Sequence, residues 1–114
     1  MVASTPRSRK SKGAKFQKEI REKLLETFPS LEEDDIKTAV MGESGEDIKL
    51  SPAARKLIPF AFEAKAQEKV SLRAWWEQAK ANAGKHKPVL VTKQSRKEPL
   101  VIMDLNTFLE IISK

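Results

Sequence analysis

Two carboxylates and one ammonium group are the residues of this chain whose types and spacing could do chemistry. Asp47 follows a glycine-containing turn, and Glu63 and Lys65 lie two positions apart in the apolar segment 59–65. Two carboxylates favour a hard divalent cation such as Mg²⁺, which prefers oxygen ligands and also accepts a phosphate oxygen. Such a cation lowers the pKa of a bound water and neutralises charge on a phosphate, and an adjacent ammonium adds to that stabilisation. The pattern therefore indicates metal-dependent chemistry on a phosphate ester.

Two predicted strands must position these groups. The residue period of two in segment 59–65 places Glu63 and Lys65 on one face and Phe60 and Phe62 on the other. An antiparallel pairing of this strand with the strand that begins at Asp47 would bring the three charged groups within a few ångströms of one another. In the alternative interpretation, Glu63 and Lys65 form a solvated strand face and Asp47 is only a turn residue.

The remaining elements predict an α/β fold in which a mixed sheet is flanked by helices. Apolar residues recur every four positions from Phe16 to Phe28, as an amphipathic helix requires. Ser51 and Pro52 could start one helical turn as N-cap and first helical residue. The predicted order is a helix over 15–28, strands over 36–40, 47–50 and 59–65, a helix over 71–83, strands over 88–92 and 100–103, and a last helix over about 106–112.

Length and composition limit the classes of protein. A chain of 114 residues fits one domain, with residues 1–12 predicted as a flexible basic arm and 13–114 as the folded domain. The absence of cysteine and the presence of a single histidine exclude a disulfide framework and a thiolate or multi-histidine zinc site. No segment approaches the roughly 20 apolar residues that span a bilayer, and the N-terminus has no apolar signal core. We expect a soluble, cytoplasmic protein without a membrane partner.

The charge balance favours a polyanionic partner. Lys and Arg total 22 against 16 Asp and Glu, which gives a net charge of +6 and a pI near 9.7. This balance is typical of nucleic-acid-binding proteins, although many soluble proteins are mildly basic. The predicted phosphate contacts lie in the arm and in the turn between the last two strands, where a solvated turn is the alternative: Arg7, Arg9, Lys10, Lys12, Lys93, Arg96 and Lys97.

From about residue 12 to residue 103 these features resemble the PD-(D/E)XK nuclease superfamily. Asp47 after Gly45-Glu46 takes the place of the aspartate of that motif, and Glu63 and Lys65 take the place of its E-x-K pair. The helix containing Trp75-Trp76-Glu77-Gln78-Ala79 follows in the matching order. The resemblance implies a restriction-endonuclease-like αβββαβ core and an endonuclease that uses Mg²⁺, with Mn²⁺ as a substitute.

Two further segments look like those of the archaeal Holliday junction resolvases and related phage nucleases. They are Lys12-Gly13-Ala14, which leads into the first helix, and the Ser44-Gly45 loop before the aspartate. This likeness implies a homodimer with two active sites that cuts branched or four-way DNA during recombination or repair, in the host cytoplasm if a phage encodes it. It also makes Ser44 a candidate DNA contact.

Two glutamines extend the candidate site. The archaeal resolvases carry a metal-site glutamate in the first helix, where this chain has Gln17. Gln17 falls within the apolar arc of that helix and Glu19 lies outside it, so Gln17 is the expected contact to a metal-bound water or a phosphate. Whether Gln17 or Glu19 supplies this group, and whether one metal ion or two is bound, stay open. Gln78 is a candidate because a residue of the corresponding helix often approaches the metal in this superfamily; an ordinary exposed residue is the alternative.

Three functions are consistent with these observations. The first is a Holliday junction resolvase, the second is another PD-(D/E)XK nuclease that acts in nicking, repair or replication, and the third is a non-catalytic DNA-binding protein that keeps the fold. The acidic pair argues against the third, because a binding module has no reason to retain carboxylates that face phosphate.

Overall fold

The computed structural model describes residues 6–40 and 42–114, with the backbone alone for residues 6–8. Its elements are α1 (Pro6–Thr27), a 3₁₀ turn (Glu33–Asp35), β1 (Ile36–Thr38), β2 (Ile48–Leu50), α2 (Pro52–Leu57), β3 (Phe60–Ala66), α3 (Leu72–Ala83), β4 (Lys87–Lys93), β5 (Leu100–Ile102) and α4 (Leu105–Ile112). The predicted α/β class is confirmed, and α1, β1, β2, β3, α3 and β4 follow in the predicted αβββαβ order. None of the helices in the described residues is long and apolar enough to cross a membrane.

Helix α1 begins nine residues before the predicted start at Lys15. The helix starts at Pro6, so residues 6–12 of the predicted flexible arm are helical, whereas residues 1–5 lie outside the described part of the chain. Proline is favourable at the first position of a helix, and Arg and Lys are good helix formers. Apolar spacing could not reveal these turns, because they carry no apolar side chain to bury.

The strands form a hairpin and a three-stranded sheet. β1 and β2 are antiparallel. In the larger sheet β4 lies between β3, to which it is parallel, and β5, to which it is antiparallel. Glu63 is in register with Leu90, and Lys65 is in register with Thr92. Helix α3 makes the crossover that a parallel β3–β4 pair requires.

The expected antiparallel pairing between the strands of Asp47 and Glu63 is wrong. β2 pairs with β1, and the hairpin meets β3 through the backbone N–H of Asp47, which donates to the carbonyl of Phe62 at 2.9 Å. The Asp47 carboxylate accepts a 2.8 Å hydrogen bond from the backbone N–H of Ala64. The Asp47 side chain thus accepts the hydrogen bond that the Ala64 N–H would otherwise donate to a carbonyl of a neighbouring strand. The predicted proximity of Asp47 to β3 is nevertheless present.

Helices α1 and α3 cover opposite faces of the sheet. Phe16 and Ile20 of α1 pack in one cluster with the β3 and β4 side chains Phe62, Val89 and Val91. Trp75 and Ala79 of α3 pack against Leu90, which alternates with those valines and therefore points the other way. Because Glu63 is in register with Leu90, its side chain lies on the face covered by α3.

Candidate active site

Asp47 and Glu63 come together beside the middle of β3. Asp47 is held to that strand by its backbone bond to Phe62 and its carboxylate bond to Ala64. Glu63 is only 3% exposed, although it is charged. Each of the two carboxyl groups is close enough to change the pKa of the other. The structure therefore joins the two acids that the sequence placed 16 positions apart.

Burial dominates the electrostatics of this pair. Desolvation raises the pKa of Asp47, against the lowering effects of the Ala64 N–H and of Lys65. Desolvation also raises the pKa of Glu63, and the negative charge of Asp47 raises it further, while Asn82 and Lys65 act in the opposite direction. Two adjacent, partly desolvated carboxylates disfavour the doubly ionised state unless a cation balances them.

The donor set fits a hard divalent cation. Within residues 6–40 and 42–114 there is no cluster of three or more acidic, histidine or cysteine side chains that could hold a metal. Mg²⁺ does not need one, because it is commonly bound through one or two carboxylates together with waters and substrate phosphates. Asp47 and Glu63 would hold such an ion, and no sulfur or imidazole ligand competes for a softer metal.

Lys65 completes the predicted trio. Its Nζ atom lies 3.7 Å from Oε2 of Glu63, and its side chain is 18% exposed. Both residues extend from the same face of β3, as the period of two predicts. A partly desolvated ammonium beside two carboxylates is placed where it could contact an anionic substrate oxygen.

Asn82 is a site residue that sequence reasoning missed. Its Nδ2 atom donates a 3.1 Å hydrogen bond to Oε1 of Glu63 from the last turn of α3. Gln78, the residue predicted from the same helix, is exposed and lies one turn earlier on the same side. The sequence did contain one indication of this contact. Asn82 lies three residues after Ala79, so it falls at the margin of the buried stripe formed by Trp75, Ala79 and Ala83.

Gln17 and Glu19, the two residues considered for the metal site from the first helix, lie on α1, which covers the opposite face of the sheet. Gln17 is half-buried, and among the described residues its side chain makes no hydrogen bond with Asp47 or Glu63. Glu19 forms an ion pair with Lys93, whose Nζ lies 3.4 Å from Oε1 of Glu19. The structure thus brings Asp47, Glu63 and Lys65 together and leaves both α1 residues outside their hydrogen-bonding network.

Arg55 is a second residue that the sequence did not reveal. It extends from the short helix α2, which has the predicted N-cap at Ser51. The Arg55 guanidinium donates to the carbonyl of Phe60 at 2.8 Å and forms an ion pair with Glu46. Glu46 precedes Asp47 and Phe60 begins β3, so this side chain ties the Asp47 loop to the strand that carries Glu63.

The predicted DNA contacts lie on two surfaces. Ser44 is exposed in the loop before Asp47, where its carbonyl accepts a 3.0 Å hydrogen bond from Nζ of Lys49. The side chain of Arg7 lies outside the described residues. The others are on α1 and at the β4–β5 turn, all exposed except the half-buried Lys93: Arg9, Lys10, Lys12, Lys93, Arg96 and Lys97.

Comparison with protein-family models matches residues 8–114 to a family described as "Phage putative PDDEXK endonuclease". The chain belongs to this family. The match covers nearly the whole chain and confirms the resemblance to PD-(D/E)XK nucleases that Asp47, Glu63 and Lys65 suggested. No curated protein and no solved structure matches the chain. The family description specifies an endonuclease and no particular DNA structure.

Proposed function

We propose that this phage endonuclease hydrolyses DNA phosphodiester bonds in a Mg²⁺-dependent reaction, with Asp47, Glu63 and Lys65 as its active site. The observation that carries the proposal is the buried Glu63 carboxylate beside the Lys65 ammonium, on the strand whose Ala64 N–H also holds the Asp47 carboxylate. A bound Mg²⁺ would supply a Lewis acid that polarises the phosphate and lowers the pKa of a water. Mn²⁺ would substitute, because it accepts the same oxygen ligands.

Each side chain has a role that its contacts support. The Ala64 N–H fixes the Asp47 carboxylate, and Asn82 fixes the Glu63 carboxylate, so that both keep further oxygen lone pairs for a cation. The Lys65 ammonium would orient the attacking water and stabilise charge that develops on the phosphate. Gln78 and Gln17 are candidates for only a weak contact to a water or a phosphate of the bound substrate, because within the described residues neither side chain hydrogen-bonds to the acid pair.

The proposed substrate is branched DNA, with the four-way junction of recombination and repair as the first choice. The support is the likeness of residues 12–14 and 44–45 to the corresponding segments of the archaeal resolvases. A nicking or repair nuclease with the same active site would prefer nicked, flap or linear DNA. A non-catalytic binding role is disfavoured, because it would leave two desolvated carboxylates without a function.

We propose a homodimer as the active form, because symmetric cutting of a four-way junction requires two active sites. The support is the exposure of seven large apolar residues that β5 and α4 carry: Leu100, Val101, Leu105, Phe108, Leu109, Ile111 and Ile112. These residues are 43–69% exposed, and contact with another chain would remove their apolar area from water. A second copy of the chain is the proposed occupant, and sedimentation of the purified protein tests it.

Cleavage of four DNA structures tests the substrate proposal. Four-way, flap, nicked and linear DNA are incubated with the protein in Mg²⁺, in Mn²⁺ and in EDTA. We expect paired cuts in the four-way junction, cleavage with either cation and none in EDTA. Preferential cleavage of nicked, flap or linear DNA would reject the resolvase assignment, and undiminished cleavage in EDTA would reject the metal dependence.

Asp47→Ala and Glu63→Ala test the active site itself. We expect each to lower the cleavage rate by about a thousandfold or more, because each removes a cation ligand. DNA binding should be unchanged or tighter, since a negative charge near phosphate is lost. Glu77→Gln is the matched control, because Glu77 is an exposed α3 residue that pairs with Lys80. Near-normal cleavage by both alanine variants would overturn the assignment.

A further inference from the structure

A groove opens at the carboxyl ends of β3 and β4, between the first half of α1 and the β4–β5 turn. Its volume is about 670 Å³, and three chain segments line it: residues 12–22 of α1, residues 66–68 after Lys65, and residues 93–96 of the turn. The carboxyl ends of parallel strands are the usual place for a ligand in open α/β sheets. Ala66 lies three residues beyond Glu63 on β3, about 10 Å along the strand.

The groove is lined by charges of both signs with an excess of cations. Five of its side chains are cationic and three are carboxylates: Lys12, Lys15, Lys18, Lys93 and Arg96, against Glu19, Glu22 and Glu68. The adjoining residues 6–11 of α1 add three more Lys or Arg and no Asp or Glu. Cations in excess along one groove repel one another, and a bound anion relieves that repulsion.

One carboxylate of the groove, that of Glu68, is bound by the kinds of donor that bind anions. Oε2 of Glu68 accepts hydrogen bonds from the backbone N–H and from the hydroxyl of Ser95, both at 2.8 Å. The Lys12 Nζ lies 3.6 Å from the same oxygen. These two hydrogen bonds hold the pKa of Glu68 below its ordinary value, so it stays ionised. A backbone amide, a hydroxyl and an ammonium are also the donors that proteins use to bind a DNA phosphate.

The β4–β5 turn presents a cation from a strained backbone. Arg96 has a φ of +65°, a conformation that glycine or asparagine adopts more readily than arginine. The turn is fastened to the end of β3 by the Gln94 side chain, which donates to the carbonyl of Glu68 at 2.7 Å. Strain that a structure retains at an exposed charged residue points to a binding role for that charge.

We propose that this groove binds the DNA backbone at the carboxyl end of β3, away from the scissile phosphate, and that the Glu68 carboxylate occupies a phosphate subsite until DNA displaces it. The inference rests on the proposed nuclease function, because DNA is the polyanion that such an enzyme would bring to a cationic groove. Lys12 and Ser95 then donate to a phosphate instead of to Glu68, and Arg96 contacts the adjacent backbone. Glu19 holds Lys93 in a similar ion pair at the other side of the groove.

Salt-dependent DNA binding tests the proposal in the full chain carrying Asp47→Ala, in EDTA, where we expect no cleavage. The probes are a labelled four-way junction and a duplex of about 30 base pairs, titrated at several salt concentrations. We expect Lys12→Gln and Arg96→Gln each to weaken binding to both DNAs and to reduce the slope of log affinity against log salt by about one. Glu68→Gln keeps an oxygen that accepts from Ser95 but removes the negative charge, so it should tighten binding about threefold or more.

Lys80→Gln and Glu77→Gln are the matched controls, because this ion pair lies on α3 and outside the groove. They should change affinity by less than about twofold. Melting curves confirm that each variant is folded. If the parent protein binds DNA and the groove variants behave like these controls, or if Glu68→Gln weakens binding, the groove assignment is wrong while the nuclease proposal stands. If the parent protein binds none of the DNAs, both proposals fail.

Discussion

The α1 face of the sheet is packed with large apolar side chains, whereas the α3 face places a buried carboxylate, Glu63, next to its apolar contacts. On the first face Phe62, Val89 and Val91 meet Phe16 and Ile20 of α1. On the second, Trp75 and Ala79 of α3 meet Leu90, and Asn82 of the same helix donates a hydrogen bond to Glu63. The two sets alternate along the same strands, so one pleated ribbon supplies both the core and the site.

This division separates stability from chemistry. The α1 face contributes apolar burial, which is the main favourable term in folding. The α3 face contains Glu63, which forms with Asp47 an acid pair whose ionised form burial disfavours. Truncating an apolar side chain on the α1 side should therefore lower the free energy of unfolding, whereas removing a charge from the acid pair should raise it.

The largest effect on stability is expected on the α1 side. Ile36 is completely buried in β1, so Ile36→Ala should lower the free energy of unfolding by about 2–5 kcal/mol. Urea denaturation measures the change. Val40→Ala is the control, because Val40 is 70% exposed and should change stability by about 0.5 kcal/mol or less. The cleavage rate of the folded fraction should stay close to that of the wild type, and a loss of activity in fully folded Ile36→Ala would contradict the separation.

An effect of opposite sign is expected for Asp47→Asn. Burial raises the pKa values of Asp47 and Glu63, so near pH 7 the ionised pair disfavours the folded state. Asparagine keeps an acceptor for the Ala64 N–H and removes one charge, so in EDTA the free energy of unfolding should rise by about 1 kcal/mol. Added Mg²⁺ should stabilise the wild type more than the variant, because binding to the folded state adds stability. Thermal melts with and without Mg²⁺ measure both; a variant that melts lower than the wild type in EDTA would contradict the idea.

A smaller effect, on the cleavage rate, is expected when the hydrogen bond from Asn82 to Glu63 is removed. Asn82→Ala deletes the 3.1 Å hydrogen bond to Oε1 of Glu63 and should lower the cleavage rate at limiting Mg²⁺ by about tenfold. The loss should shrink at saturating Mg²⁺, because the carboxylate is mispositioned and not removed. Gln78→Ala serves as the comparison one helical turn away, with a change of about threefold or less expected. Equal losses for both variants at all Mg²⁺ concentrations would show that α3 acts in another way.

The positions of the three candidate residues along their strands could be predicted from short-range rules, although the strand pairing expected to bring Asp47 to Glu63 was wrong. Alternation along β3 is enough to place Glu63 and Lys65 on one face, and the glycine turn before Asp47 is enough to place it at a strand start. The order of helices and strands follows from apolar periods in the same way.

The supporting residues could not be predicted, because they depend on long-range packing. Asn82 lies 19 positions after Glu63 in the sequence, and the contact between them depends on how α3 packs against the sheet. Arg55 meets Glu46 only because α2 folds back toward the Asp47 loop. The early start of α1 has a different cause, since its first turns carry cations without an apolar face.

The smallest effect on cleavage is expected at Gln17, where the sequence alone suggested a substantial one. Gln17 belongs to the helix that covers the α1 face, and its side chain makes no hydrogen bond with either carboxylate within the described residues. Gln17→Ala should therefore change the cleavage rate by about threefold or less at fixed Mg²⁺. Gln17→Glu sharpens the test, because a carboxylate within reach of the cation would tighten Mg²⁺ binding. The Mg²⁺ concentration for half-maximal cleavage should be the same for both variants and the wild type. A large loss in Gln17→Ala together with tighter Mg²⁺ binding in Gln17→Glu would show that α1 reaches the acid pair in the DNA complex, and that the two faces are not independent.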